Sequence, residues 1–253
     1  MLHNKDYPEN SDSVYFLGTC LADMLYADSG MAGIKILKRE GVRVVFPRDQ
    51  TCCGQPAFNS GFQEEAREVA MHQISCFPKD YPIIVPSGSC GAMMTQHYAE
   101  LFDGHPYKEK AIFFSKRIFE LSEFLYHGLK IRLKDHGLPV KVTWHSSCHA
   151  KREMGLGDEA KKLLLQLKNV EFRKLEREDE CCGFGGAFSV KQQQISGEMV
   201  LDKCSDVLKT GADFLLSTDC GCLMNIHGVL EKQQSRIQSM HFAKFLWERT
   251  NAS

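Results

Sequence analysis

QTCCGQPAF at residues 50–58 and DECCGFGGAF at residues 179–188 carry the same Cys-Cys-Gly turn, 129 positions apart. Working outward from that pair, Cys20 answers Cys148 at an offset of 128, and Cys90 answers Cys220 at 130. The words around the last pair also agree. PSGSCGAMMTQH (86–97) faces STDCGCLMNIH (217–227), with His97 and His227 again 130 apart. Nearly constant spacing across separate matches is the signature of an internal repeat. The chain reads as two copies of one unit of about 110 residues.

Each copy alternates strand and helix. In the first, VYFLGTC is a short buried strand running into Cys20, and a helical stretch follows that ends near Gly41. VRVVF is a second strand that enters the CCG turn, EEAREVAMHQISCF is helical, and YPIIVP is a third strand leading to Cys90. The second copy repeats the order with VKVTWHSSC, DEAKKLLLQLKN, VEFRKL, CCGFGG, SGEMVLDKCSDVLKTG, ADFLLST and CGCLMNIHGVL. Such alternation predicts an α/β fold of two tandem Rossmann-like lobes with parallel sheets. The expected units are 1–104 and 139–253, joined by a helical connector at 105–138. No low-complexity linker separates them, so the halves are expected to pack closely.

Every motif cysteine follows a strand. In open parallel sheets the loops beyond the carboxyl ends of the strands meet at one edge, where ligands bind. The sequence therefore predicts a convergence of thiols at each lobe: Cys20, Cys52, Cys53 and Cys90 in the first, and Cys148, Cys181, Cys182, Cys220 and Cys222 in the second. Cys76 and Cys204 fall mid-helix and read as core residues.

The chain has 253 residues, 11 cysteines and a net charge of −1. That cysteine density is far below the ~8–10% of a secreted disulfide scaffold. A balanced charge offers no field for nucleic acid or an anionic membrane. No apolar run reaches the ~18–20 residues of a membrane span, and the opening MLHNKDYPENSDS lacks the basic and apolar regions of a leader. The expectation is a cytoplasmic protein without membrane insertion.

Adjacent cysteines rarely pair with each other, because a disulfide needs Cα atoms ~4.4–6.8 Å apart in a set geometry. The thiols then either pack as small hydrophobes or hold metal. Zinc takes four thiolates, which the first copy supplies. The second copy has five, more than one zinc requires, and an iron–sulfur cluster takes a thiolate at each of several irons. Glycine after each pair (Gly54, Gly183) lets backbone amides approach sulfur. The ferredoxin run CxxCxxCxxxCP is absent. His145 and His149 flank Cys148 where the first copy has Leu17 and Leu21, which makes the second site chemically richer. His97 and His227 read as ordinary helix residues, and Met24, Met93, Met94 and Met224 as core. No GxGxxG follows the first strand and no P-loop is present, so nicotinamide, flavin and ATP lack a motif.

The arrangement C–x31–CC–x36–C and C–x32–CC–x37–CxC resembles the duplicated cysteine-rich CCG domain found in heterodisulfide reductase and in the glycolate oxidase iron–sulfur subunit. CLADMLYADSGMAGIKILKREGVRVVFPRDQTCCGQPAFNSG and VPSGSCGAMM resemble the lactate utilization protein A family, over essentially the whole chain. The resemblance implies an electron-transfer subunit of a complex oxidising L-lactate to pyruvate. Its partners would be a ferredoxin-type iron–sulfur subunit and a further lactate utilization subunit, a setting compatible with peripheral attachment to the inner membrane through those partners. It implies an iron–sulfur cluster, of 4Fe–4S or non-cubane type, on Cys148, Cys181, Cys182, Cys220 and Cys222. A second cluster or zinc would sit on Cys20, Cys52, Cys53 and Cys90. The family's third element is commonly CxxC; here Ser87 stands at its first position in SGSC, and TDCGC shifts the second thiol to Cys222. Two other readings stay open: a heterodisulfide-reductase-like thiol/disulfide oxidoreductase, and a zinc-stabilised assembly subunit without redox chemistry.

Overall fold

Alternate residues of the strand before Cys20 go to opposite layers: Val14 and Phe16 enter one apolar cluster, Tyr15 and Leu17 another. A period of two with both faces buried is the mark of an internal strand of a parallel sheet. The computed structural model describes residues 5–8 and 11–251, so part of the opening stretch read for a leader lies outside the described residues.

The first lobe runs β1 (Ser13–Phe16), α1 (Cys20–Leu25), α2 (Ala27–Arg39), β2 (Arg43–Val45), α3 (Gln55–Asn59) and α4 (Gln63–Ser75). It continues with β3 (Ile83–Val85), α5 (Gly88–Ala92), a π-helical turn, α6 (Tyr98–Leu101), α7 (Lys108–Lys116), β4 (Ile118–Glu120) and α8 (Leu121–Glu123). The second lobe runs β5 (Val140–Trp144), α9 (Cys148–Arg152), α10 (Glu159–Leu164), β6 (Val170–Phe172), α11 (Ala187–Lys191) and α12 (Gln193–Lys209). It closes with β7 (Phe214–Ser217), α13 (Cys220–Lys232), β8 (Gln238–His241) and α14 (Phe242–Thr250). The sheets have the orders β2-β1-β3-β4 and β6-β5-β7-β8, with every pairing parallel. The expected duplicated α/β architecture is what the chain adopts. The stretch 105–138, read as helical, also supplies β4, and the chain after His227 supplies β8.

The register corrects one pairing. Tyr15 lies opposite Ile83, and Thr143, its counterpart, opposite Leu215. The amide of Leu17 donates to Ile84 and that of His145 to Leu216, each at 2.9 Å. The third strands are therefore related by an offset of 132. Ser87 stands at the N-cap position of α5 where Asp219 caps α13, and Cys90 and Cys222 each stand third in their helix. Cys222, not Cys220, is the counterpart of Cys90. Cys220 takes the place of Gly88.

The inner faces of the two sheets share one core, in which Phe16, Ile84 and Leu121 join Trp144, Leu216 and Phe242. Burying each such side chain contributes ~1.5–3 kcal/mol. Helices α2 and α14 meet across the lobes, where Arg39 donates to the Thr250 hydroxyl at 2.7 Å. The Arg249 guanidinium, nearly buried, pairs with Asp135 at 2.7 Å and holds α14 to the chain entering β5. Gly137 permits this, since a Cβ there would lie 2.2 Å from the guanidinium. Among the described residues no helix is long and apolar enough to cross a membrane.

Glu120 ends β4 fully buried and caps α8 by accepting from the Ser122 amide at 2.7 Å. Its Oε1 has no hydrogen-bond partner, and burial raises its carboxyl from 4.5 to about 8. The folded state thus keeps a proton that the unfolded chain releases near 4.5. This contribution is full below that pH and is lost as pH rises toward 8, by up to ~1.4 kcal/mol per unit. Glu120→Gln should flatten this slope in urea unfolding between pH 5 and 8. A slope identical to that of the parent chain would contradict the assignment.

Candidate functional site

With an order of β2-β1-β3-β4, the chain crosses from one side of β1 to the other, creating the switch point at which ligands bind in such sheets. Cys20 opens α1 beyond β1, Cys52 and Cys53 lie between β2 and α3, and Cys90 sits in α5 beyond β3. The second lobe delivers Cys148, Cys181, Cys182 and Cys222 in the same way, with Cys220 as an addition. All nine motif cysteines line a single cavity of about 170 Å³. Two separate rims were expected; instead they face each other. Cys20, Cys52, Cys148 and Cys181 are partly exposed, and Cys53, Cys90, Cys182, Cys220 and Cys222 are buried.

None of the described cysteines forms a disulfide. Cys20 and Cys52 hold their sulfurs 3.9 Å apart. Metal–sulfur bonds of ~2.3 Å in tetrahedral geometry place two thiolates ~3.8 Å apart, so this pair already has the spacing of co-ligands. In each lobe the first cysteine of the CC pair is the natural anion. The Cys20 and Cys53 thiols donate to Cys52, with help from the Gly54 amide, and hold it well below the ordinary thiol range. The Cys148 and Cys182 thiols do the same for Cys181, and the Gly183 amide donates to its sulfur at 3.4 Å. The donors Cys20 and Cys148 are pushed up correspondingly, first by those hydrogen bonds and then by burial. Four thiols this close cannot all ionise without a cation between them. That is the electrostatic condition of a metal site in its protonated form.

Gly183 has φ +81°, and a Cβ there would lie 2.7 Å from the Ser196 carbonyl. Glycine is what turns the chain so that this amide faces Cys181. The corresponding Gly54 is also left-handed, at φ +83°.

Asp219 was not singled out by the sequence, yet it organises the cavity. Its Oδ1 accepts from the Gly221 and Cys222 amides at 3.1 and 3.3 Å, capping α13. Its Oδ2 accepts from the Ser89 amide of the first lobe at 2.9 Å and reaches the hydroxyls of Ser87 and Ser147. The signal was the N-cap aspartate directly before CGC. Its bridging to the other lobe is tertiary and leaves no local mark.

Cys220 lies between the two sets, and burial together with the neighbouring Asp219, Cys90 and Cys222 raises its thiol well above the ordinary range. His145, fully buried three residues before Cys148, is lowered from 6.5 to about 4 by desolvation and then by Lys203. It is therefore neutral at physiological pH. His149 lines the cavity with Nδ1 3.5 Å from the Cys148 sulfur. His97 packs at a tilt against Phe58 and pairs with Glu153 outside the cavity, and His227 is exposed. Cys204 is buried in the outer core of the second lobe, and Cys76 sits beside His72 at the end of α4. Met93 and Met94 are core as expected and Met224 is half-buried, but Met24 is 77% exposed on α1. That short helix is amphipathic about Ala22 alone, so the expectation fails there.

A family model described as a cysteine-rich domain matches residues 14–95 and again 142–227. The chain is 41% identical over 228 residues to lactate utilization protein A of Halalkalibacterium halodurans, covering 90% of this chain and 93% of that one. It is 43% identical over 232 residues to the protein of that name from Bacillus licheniformis, covering 91% and 97%. Among solved structures, a hypothetical protein from Helicobacter pylori superposes over 98% of this chain with a TM-score of 0.65 at 9% identity. The present chain spans half of that one, and the likeness is one of fold.

Proposed function

Because the chain belongs to the lactate utilization protein A family and carries its cysteine-rich domain twice, we propose that it is the iron–sulfur electron-transfer subunit of a cytoplasmic complex oxidising L-lactate to pyruvate. The single observation that carries this reading is the meeting of two equivalent thiol quartets at one cavity. Cys148, Cys181, Cys182 and Cys222 hold one centre, Cys20, Cys52, Cys53 and Cys90 the other, and Cys220 adds a thiol between them. The donor set fits iron, since sulfur-rich sites with adjacent cysteines and amide-to-sulfur hydrogen bonds suit clusters.

Such a group, when bound, accepts and passes electrons one at a time. The chain's own part is to hold it and set its surroundings. The amide of Gly183 offsets negative charge on the Cys181 sulfur, and burial of Cys53, Cys90, Cys182 and Cys222 keeps water from the inner side. The partly exposed sulfurs of Cys20, Cys52, Cys148 and Cys181 are where a ferredoxin-type partner subunit and a further lactate utilization subunit would exchange electrons. Lactate gives up its two electrons and two protons on a partner, because no organic-cofactor motif marks this chain.

A cavity between two thiol sets also favours a second reading, reduction of a disulfide substrate there. Protein purified without oxygen should be brown, with several irons and acid-labile sulfides per chain, and paramagnetic on reduction. Colourless protein with stoichiometric zinc would overturn both redox readings. A spectrum altered by an added disulfide would favour the second.

A further inference from the structure

His145 is the first residue after β5, fixed there by the hydrogen bond its amide donates to the Leu216 carbonyl. It is fully buried, and neither ring nitrogen has a hydrogen-bond partner. Each buried polar group left unpaired costs ~1–3 kcal/mol. Nothing about packing requires this, since Leu17 fills the equivalent place in the first lobe, also fully buried. The other fully buried histidine described shows the contrast. In His241, Nε2 lies 3.0 Å from the Pro86 carbonyl and 3.2 Å from that of Thr218, and Nδ1 accepts from the Ala243 amide at 3.1 Å.

What does stand near His145 is sulfur. A ring nitrogen of His145 and the sulfurs of Cys182 and Cys222 all lie within 4.8 Å of one another. Metal bonds of ~2.0–2.1 Å to imidazole and ~2.3 Å to thiolate bring such a trio to ~3.5–3.8 Å, at most about an ångström closer. Resting on the reading of the second quartet as a metal centre, we propose that the His145 imidazole is a direct ligand of that centre beside Cys182 and Cys222. The two lobes then hold chemically different centres, one ligated by thiolates alone and the other by thiolates and a neutral nitrogen. Where an imidazole takes the place of a thiolate at an iron the potential rises, which would make the second lobe the electron sink of the pair.

The test begins with metal analysis of oxygen-free protein, followed by pulsed EPR of the reduced protein with and without ¹⁵N-histidine. A coupling of the size of directly bonded nitrogen is expected, lost in His145→Leu and kept in His149→Gln. His145→Leu copies the first lobe and should fold, retaining the all-sulfur signal. Metal-loaded protein without that coupling, or with a coupling that survives His145→Leu, overturns the ligand assignment alone. Protein that binds no metal overturns the metal-site reading and this one together. If the metal is zinc, the same spectra of cobalt(II)-substituted protein decide the ligand separately from the metal.

Discussion

Replacing Cys181 and Cys182 together by serine should remove the second lobe's metal entirely, lowering iron and sulfide per chain by about half, the share expected of one of two equivalent quartets. Cys181 is the sulfur that its neighbours hold as an anion, and Cys182 lies between Cys181 and Cys222 by its hydrogen bonds. Serine keeps the shape of each side chain but cannot ionise near neutral pH, so the site loses two of its four sulfur donors. The first quartet is built from other loops and should keep its own centre. Lactate-dependent growth should stop, because electrons arriving at the complex would meet a broken relay. A double variant with unchanged iron content and growth would show that these thiols serve packing alone. The fold itself should survive, since Cys181 is only partly buried, serine keeps the shape of Cys182 within the smaller outer cluster, and the shared core lies on the other face of the sheet.

The second large effect is expected at the seam between the lobes. A Cβ on Gly88 would stand 2.4 Å from the Cβ of Ala150, and 3.1 Å from its Cα. Helices α5 and α9 therefore touch backbone to backbone, and beside that contact the Ser89 amide donates across the seam to Asp219. Gly88→Val must push these helices apart, costing ~1–3 kcal/mol by overpacking. It should also disperse both quartets, since Cys90 and Cys148 ride on the same two helices. Gly88→Ala should lie between, and Ala150→Gly in the same chain should recover much of its loss, a coupling visible in a double-mutant cycle of urea midpoints. Additive losses from Gly88→Ala and Ala150→Gly would mean that the helices do not meet there. The contrast with Cys220, which carries a side chain at the equivalent position of α13, marks the seam as asymmetric.

Much of this was legible in the sequence because the information is local. The strand that runs into Cys20 or Cys148, the CCG turn and the strand before Cys90 each announce themselves, and their repetition fixes the duplicated parallel architecture. What escaped was tertiary. Ile118–Glu120 is three residues between helices, and Gln238–His241 is a polar strand on the sheet's edge, so neither carries a pattern that competes with its flanks. The word match around Cys220 misled by two residues, because CGC offers two thiols and only strand register and helix caps say which one answers Cys90. That the two rims share a cavity depends on Gly88, Asp219 and the common core, none of which a single lobe would reveal.

The most direct measurement is anomalous diffraction at the iron edge from crystals grown without oxygen. Iron peaks are expected on both sides of the cavity, one against Cys20, Cys52, Cys53 and Cys90 and one against Cys148, Cys181, Cys182 and Cys222. Crystals of active protein with no iron density at either quartet would contradict the assignment of these thiols as the seat of electron transfer.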